Sequence, residues 1–325
     1  MMRAIVYEQY GSPNVLKMKE VAKPIPQANE ILIKTYATTV TTGDWRVRSL
    51  ILPPGFGFLG RLMFGIFKPR QPILGSEIAG VIESVGKAVS KFKVGDSVIS
   101  FSDAAMGCHA EYRCMAEDGA IALKPSNLSF NESAALSFGG TTALSFLRRA
   151  NLKAGDRILI NGASGGVGTA AVQLAKHFGA VVTAVCSTPN VELVKLLGAN
   201  HVIDYVKEDF TKNGEKYDVI MDIAGNAPYS RSKGSLVEKG YLLMVLAGLF
   251  DMLQAPWISM MTGIRLVVGP AFGKAEDLRY LAQLAESGIF KPVIDRTDPF
   301  HLMADAHRHV DTGHKRGNVV VTLIS

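Results

Sequence analysis

The residues with the clearest chemical purpose are glycines. In "ILINGASGGVGTAAVQLAK", Gly162, Gly165 and Gly168 recur at every third position, where an apolar run gives way to a helical one. Glycine at such a turn lets a pyrophosphate approach the backbone. The helix that follows offers unpaired N–H groups and the positive end of its dipole. The pattern alone is weak, but here a strand precedes it, a helix follows and a second strand closes the unit, which is the required context. Gly162, Ala163, Ser164 and Gly165, with Gly166, Val167 and Gly168 beyond them, are expected to hold a dinucleotide.

The second strand says which dinucleotide. An Asp or Glu about 20 residues on would take a ribose 2′-hydroxyl. Here the strand end reads "VVTAVCSTPN", with no acid before Glu192, which falls in the next helix. Ser187, Thr188 and Asn190 are uncharged hydrogen-bonding groups that tolerate a 2′-phosphate, so NADP(H) is expected over NAD(H). Tyr205, at the end of the third strand, and Lys207 or Arg316 are candidates for further contacts.

A second stretch, "PILGSEIAGVIESVG", puts Glu77 among glycine, serine and branched aliphatics. A buried charge must be paired or must bind something, so Glu77 serves either a metal or the backbone. A cation such as Lys34, Arg46 or Arg48 could pair with it. Metal ligands are scarce: Cys108, Cys114 and His109 together fall short of the four a structural zinc needs. Tyr36 and Tyr112 are possible proton donors, but tyrosines in strands more often pack.

Residues 1–126 read as mostly β, with short Ile-, Val- and Thr-rich runs between Gly/Pro turns, a barrel or folded sheet. From 127 to 271 strands and helices alternate, which predicts a parallel, doubly wound sheet. "SFNESAALSFGGTTALSFLRRA" reads as helix broken at Gly139–Gly140, with Asn131 as N-cap. The tail, 272–325, reads strand, helix, strand and is expected to return to the first domain. The insert "LPPGFGFLGRLMFGIFKPRQP" carries Phe56, Phe58, Phe64 and Phe67 and reads either as a pocket cover or as core filler.

The chain has 325 residues, 48% hydrophobic and 20% charged, enough for a sizeable core over about two domains. Its net charge of +6 carries no long basic run, which argues against a nucleic-acid partner. Three cysteines point to a reducing compartment. The start has no signal-peptide core, and the longest apolar run, "YLLMVLAGLF", is too short to span a bilayer. A soluble cytoplasmic protein without a membrane partner is the expectation.

In order along the chain, "GSEIAGVIESVGKAVSKFKVGDSV", "HAEY", "NGASGGVGTAAVQLAKHFGA" and "LGANHVIDY" resemble the medium-chain dehydrogenase/reductase superfamily, in its zinc-free quinone oxidoreductase (zeta-crystallin-like) branch. The resemblance spans nearly the whole chain. It implies an α/β protein with a GroES-like catalytic domain built from both chain ends and a Rossmann domain between. It implies NADPH as hydride donor, a homodimer, and small hydrophobic electrophiles such as quinones or α,β-unsaturated carbonyls as substrates.

Zinc relatives carry Cys where Thr41 stands and His where Ser76 stands, so no metal is expected. Thr41 also replaces the Asn usual in the quinone reductases. Thr41 and Asp44 are the catalytic candidates, Asp44 leaning towards a structural role. Thr142, the loop residues Leu246 and Ala247, and Asn318 join the cofactor candidates. An enoyl-thioester reductase and a protein that holds NADPH without turnover remain alternatives.

Overall fold

The structure is a computed structural model that describes residues 1–324. The chain forms β1 (Met2–Val6), β2 (Lys17–Val21), β3 (Glu30–Val40), α1 (Thr42–Ser49), α2 (Gly57–Phe64), β4 (Glu77–Val85), β5 (Ser97–Phe101), β6 (Tyr112–Ala116) and β7 (Ile121–Leu123). Then come α3 (Phe130–Ala134), α4 (Ser137–Arg149), β8 (Arg157–Asn161), α5 (Gly166–His177), β9 (Val181–Cys186), α6 (Val191–Leu196), β10 (His201–Asp204) and β11 (Tyr217–Asp222). The rest is α7 (Tyr229–Ser232), β12 (Leu236–Met244), α8 (Leu249–Thr262), β13 (Arg265–Val267), α9 (Ala275–Glu286), β14 (Ile294–Pro299), α10 (Met303–Asp311) and β15 (Asn318–Thr322).

Two compact units result: residues 1–52, 57–141 and 273–325 form one, 53–56 and 142–272 the other. In the first, a seven-stranded sheet runs β14-β15-β3-β4-β5-β7, with β6 pairing β3. β15 lies antiparallel to β3, so the chain's end joins the sheet begun near its start. In the second, six parallel strands run β10-β9-β8-β11-β12-β13. That order reverses beside β8, and ligands bind at such a switch point, outside the carboxyl ends of the strands.

Residues 127–141 fall in the first unit, not with the alternating segment that their helical composition suggests. The reason is packing: Phe130 of α3 stacks on Tyr36 of β3, ring centroids 4.3 Å apart. The N-cap of α3 is Ser129, not Asn131. Ser129 and Glu132 form a reciprocal capping box, and Asn131 instead accepts from the Thr322 hydroxyl (3.0 Å). The helix break falls at Ala135–Leu136, and Gly139–Gly140 lie inside α4. Gly140 is there for closeness: a Cβ on it would meet Leu281 of α9 at 2.7 Å.

Glu77 opens β4 and is fully buried. The Thr39 hydroxyl of β3 donates to one carboxylate oxygen. The Phe138 N–H, in the first turn of α4, donates to the other at 2.5 Å. A carboxylate there also meets the positive end of the helix. Arg48 pairs elsewhere, with Asp311 at 2.6 Å, and among the described residues no ion pair includes Glu77. Burial pushes the carboxyl from 4.5 up to about 7, against the two hydrogen bonds and the more distant Lys315.

A raised carboxyl pKa means that the folded chain binds the extra proton between about 4.5 and about 7. Stability on this account falls as pH rises through that window and then levels off. Urea midpoints measured at pH 5 and pH 7.5 should drop more for the wild type than for Glu77→Gln; parallel behaviour would contradict this origin.

Candidate functional site

In the second unit the site starts where β8 ends. Gly162 follows it in the left-handed region, φ +88°, which glycine adopts without strain. The N–H groups of Gly162 and Ala163 donate to the Val185 carbonyl of β9, at 3.2 and 3.0 Å. Ala163 is fully buried and its one N–H donor is engaged, so it shapes the loop. Gly168 lets α5 sit against this loop: a Cβ would stand 2.1 Å from the Gly162 carbonyl oxygen. No side chain caps α5, so its first-turn N–H groups, at Gly166, Val167 and Gly168, are available to an anion. These features fit a dinucleotide pyrophosphate.

Asn190 ties the neighbouring loops together. Its amide donates to the Ser164 and Ser187 hydroxyls, at 3.2 and 3.0 Å. At the end of β8, Asn161 donates to Asp222 (2.9 Å) and Asn226 (2.7 Å). Asp222 also accepts from the N–H groups of Gly225 and Ala227. The loop after β12 packs on this turn, since a Cβ on Gly225 would lie 3.3 Å from Leu246 Cβ; Ala247 follows, nearly buried at 8%. The Asn161–Asp222 network escaped sequence reasoning. Its signal was present: "ILIN" and "VIMD" each end an apolar strand on a polar residue.

The end of β9 carries no acid of its own, as its sequence says, but the next strand brings one beside it. β10 pairs with β9 so that Asp204 lies beside Cys186, the last residue of β9. The Thr188 hydroxyl donates to the Asp204 carboxylate at 2.6 Å. An acid thus stands where none occurs along β9, brought by the next strand. Thr188 is first among the groups that hold this carboxyl below its usual range. Lys207 lies 3.5 Å away, and Tyr205 is 58% exposed beside them. Thr142 is nearly buried in α4.

The remaining candidates lie in the first unit. Thr41 is the N-cap of α1 and forms a capping box with Asp44. Asp44, fully buried, accepts from the Thr41 N–H (2.7 Å), the Thr41 hydroxyl (2.6 Å) and the Gly75 N–H (2.9 Å). The Thr41 hydroxyl in turn accepts from the Asp44 N–H at 3.2 Å. Its proton is therefore engaged, leaving one lone pair. Asn318 is nearly buried, and its amide donates to the Val293 carbonyl at 3.1 Å. Arg316 is exposed.

Zinc requires Cys, His or carboxylate ligands. Among the described residues no group of three or more His, Cys, Asp or Glu is placed to hold a metal. Burial pushes the thiols of Cys108, Cys114 and Cys186 up to about 11, so none is a thiolate at neutral pH. His109 donates to the Thr39 carbonyl (2.9 Å), and burial holds it neutral.

Comparison with known proteins agrees with both halves. The family model for the alcohol dehydrogenase GroES-like domain matches residues 27–126, and that for zinc-binding dehydrogenase matches 197–321. The residues here do not fit the zinc in the second description. The chain is 36% identical to 2-methylene-furan-3-one reductase of Solanum lycopersicum, covering 98% of this chain and 79% of that one. It is 34% identical to the chloroplastic NADPH-dependent alkenal/one oxidoreductase of Arabidopsis thaliana, with the same coverage of 98% and 79%. The quinone oxidoreductase structure from Coxiella burnetii superposes with a TM-score of 0.89 at 30% identity, over 99% of both chains.

Two substitutions test the dinucleotide site. Gly168→Ala should weaken dinucleotide binding about tenfold or more by overpacking the loop, measured by calorimetric titration; unchanged affinity would remove the cradle. Asp204→Asn should raise the ratio of NADPH to NADH affinity by about tenfold, because a negative charge leaves the ribose end. An unchanged ratio would place the 2′ position elsewhere.

Proposed function

The chain belongs to the medium-chain dehydrogenase/reductase superfamily, in its quinone oxidoreductase branch, and from that premise we propose that it is a zinc-independent, NADPH-dependent reductase of quinones or α,β-unsaturated carbonyls. The observation that carries this is the uncapped, glycine-cradled start of α5 at the switch point of a parallel sheet. The name of the alkenal/one oxidoreductase relative supports the substrate class and NADPH. The lack of a metal-competent cluster among the described residues supports zinc independence.

Bound NADPH would supply the hydride, and the electron-poor carbon of the substrate would receive it. The protein's part is to bind and orient. The first-turn N–H groups of α5 hold the pyrophosphate, and Asn190 keeps Ser164 and Ser187 in register beside it. Ser187, Thr188, Tyr205 and Lys207 favour a 2′-phosphate, and Asp204 opposes it. The working enzyme on this reading prefers NADPH and still accepts NADH.

The oxygen of the reduced substrate gathers charge and needs a proton. Thr41 is a poor source, because its hydroxyl proton rests on Asp44. Solvent would supply it on this reading, and Thr41 with Asp44 secures the start of α1. A homodimer remains the proposed assembly.

Purified protein mixed with NADPH and a panel of quinones, enones and enoyl thioesters should oxidise the cofactor with the first two classes, followed by loss of nicotinamide absorbance. Turnover of enoyl thioesters alone would make it an acyl reductase. Tight binding without turnover would make it a binding protein. Thr41→Val should keep kcat within about threefold, whereas Asp44→Ala should destabilise the fold by about 2 kcal/mol or more, since it orphans buried donors. A kcat loss of a hundredfold in Thr41→Val, with its pH profile altered, would restore Thr41 as the proton donor.

A further inference from the structure

The segment between α1 and β4 turns its apolar side chains outward. α2 is seated through Gly60, where an added Cβ would stand 1.9 Å from Leu52 Cδ1. It is also seated through Phe64, which packs on the core of the first unit. The other face presents Phe58, Leu59, Leu62 and Met63, spaced so that they share one side of the helix. The turn after it adds Ile66 and Phe67. Phe58 is 73% exposed and Phe67 is 94% exposed, which excludes a core-filling role for both. The turn is held in this shape: the Tyr10 hydroxyl donates to the Gly65 carbonyl (2.8 Å), and Arg61 donates to the Ile66 carbonyl (3.0 Å). A contiguous exposed patch of large apolar side chains marks an interaction surface.

Charge says what that surface meets. From Trp45 to Ser76 the chain contains no acid. Arg61, Lys68 and Arg70 stand exposed among the apolar residues. Glu8, an acid on whose carboxyl Lys19 acts first and Lys68 last, is already paired with Lys19 at 2.7 Å. Apolar tips interleaved with cations fit the boundary of an anionic bilayer. The rings and aliphatic chains enter the headgroup region while the cations meet lipid phosphates. We propose that α2 and the turn that runs to Arg70 dock this protein on an anionic membrane surface. α8 offers a contrast: its exposed Phe250, Leu253 and Trp257 are accompanied by Asp251 and by no cation within the helix. The expectation of no membrane partner came from the absence of a spanning run. Lying on a bilayer needs only one exposed face, and that face becomes visible once Gly60 and Phe64 are seen to point inward.

The test uses the full chain and flotation with vesicles of phosphatidylcholine alone, or of an equimolar mixture with phosphatidylglycerol. Wild type should float with the mixed vesicles, stay behind with phosphatidylcholine, and be released by high salt. Phe58→Ser with Phe67→Ser should lower the partition about tenfold. Each of Arg61→Gln, Lys68→Gln and Arg70→Gln should lower it roughly fivefold. Thermal unfolding and NADPH titration should match wild type in every variant, which separates this proposal from the fate of the reductase reading. Absence of flotation, or equal flotation of wild type and the double phenylalanine variant, would overturn it. So would a dimer that the double variant dissolves in a protein that ignores vesicles.

Discussion

Glu77 is a buried carboxylate without a cation in contact, and the first unit is arranged around satisfying it. Its two oxygens take a hydroxyl from β3 and a backbone N–H from the first turn of α4. Those partners lie far apart in sequence, so one side chain fixes a sheet pair and the entry of a helix together. The cost is visible in the carboxyl pKa, raised to about 7 by burial. Two hydrogen bonds reduce the desolvation penalty without cancelling it. A metal could satisfy such a group, but among the described residues no cluster of three His, Cys, Asp or Glu is placed to hold one.

Asp44 repeats the device. It accepts two bonds from Thr41 and one from Gly75, so the start of α1 is held to the segment that leads into β4. Carboxylates here act as backbone fasteners, and that has a chemical consequence. A hydroxyl whose proton already rests on a carboxylate is a weak donor to a substrate oxygen. The structural role of Asp44 and the weakness of Thr41 as an acid are one fact seen from its two ends.

How far the sequence could be read follows from the range of the interactions. The parallel sheet and the glycine loop were legible because their signals are local: apolar runs, helix periods and glycines at a turn. The seven-stranded sheet was legible mainly through resemblance, since its pairings join distant segments. The errors have two causes, one local and overlooked, the others remote in the chain. Asn131 is a good capping residue, but Ser129 lies where a reciprocal partner, Glu132, is in reach. Gly139 and Gly140 resemble a break, yet Gly140 is required by the approach of Leu281, which is remote in the chain. Arg48, a candidate cation for Glu77, is held by Asp311 and by His307 from α10.

The ribose end of the cofactor site shows the same limit in its sharpest form. Counting along the chain from the glycine loop reaches Ser187 and Thr188 and finds no acid. Parallel pairing, however, sets Asp204 level with Cys186, and Thr188 then closes on it. In a parallel sheet the neighbours of a strand end are the ends of adjacent strands, separated in sequence by a whole helix. Specificity at that position therefore belongs to a pair of strand ends, and the charge of one cannot be judged without the register of the other. The charge around the end of β9 is then a balance of Asp204 against Lys207 and the polar groups that follow the strand, set by sheet register.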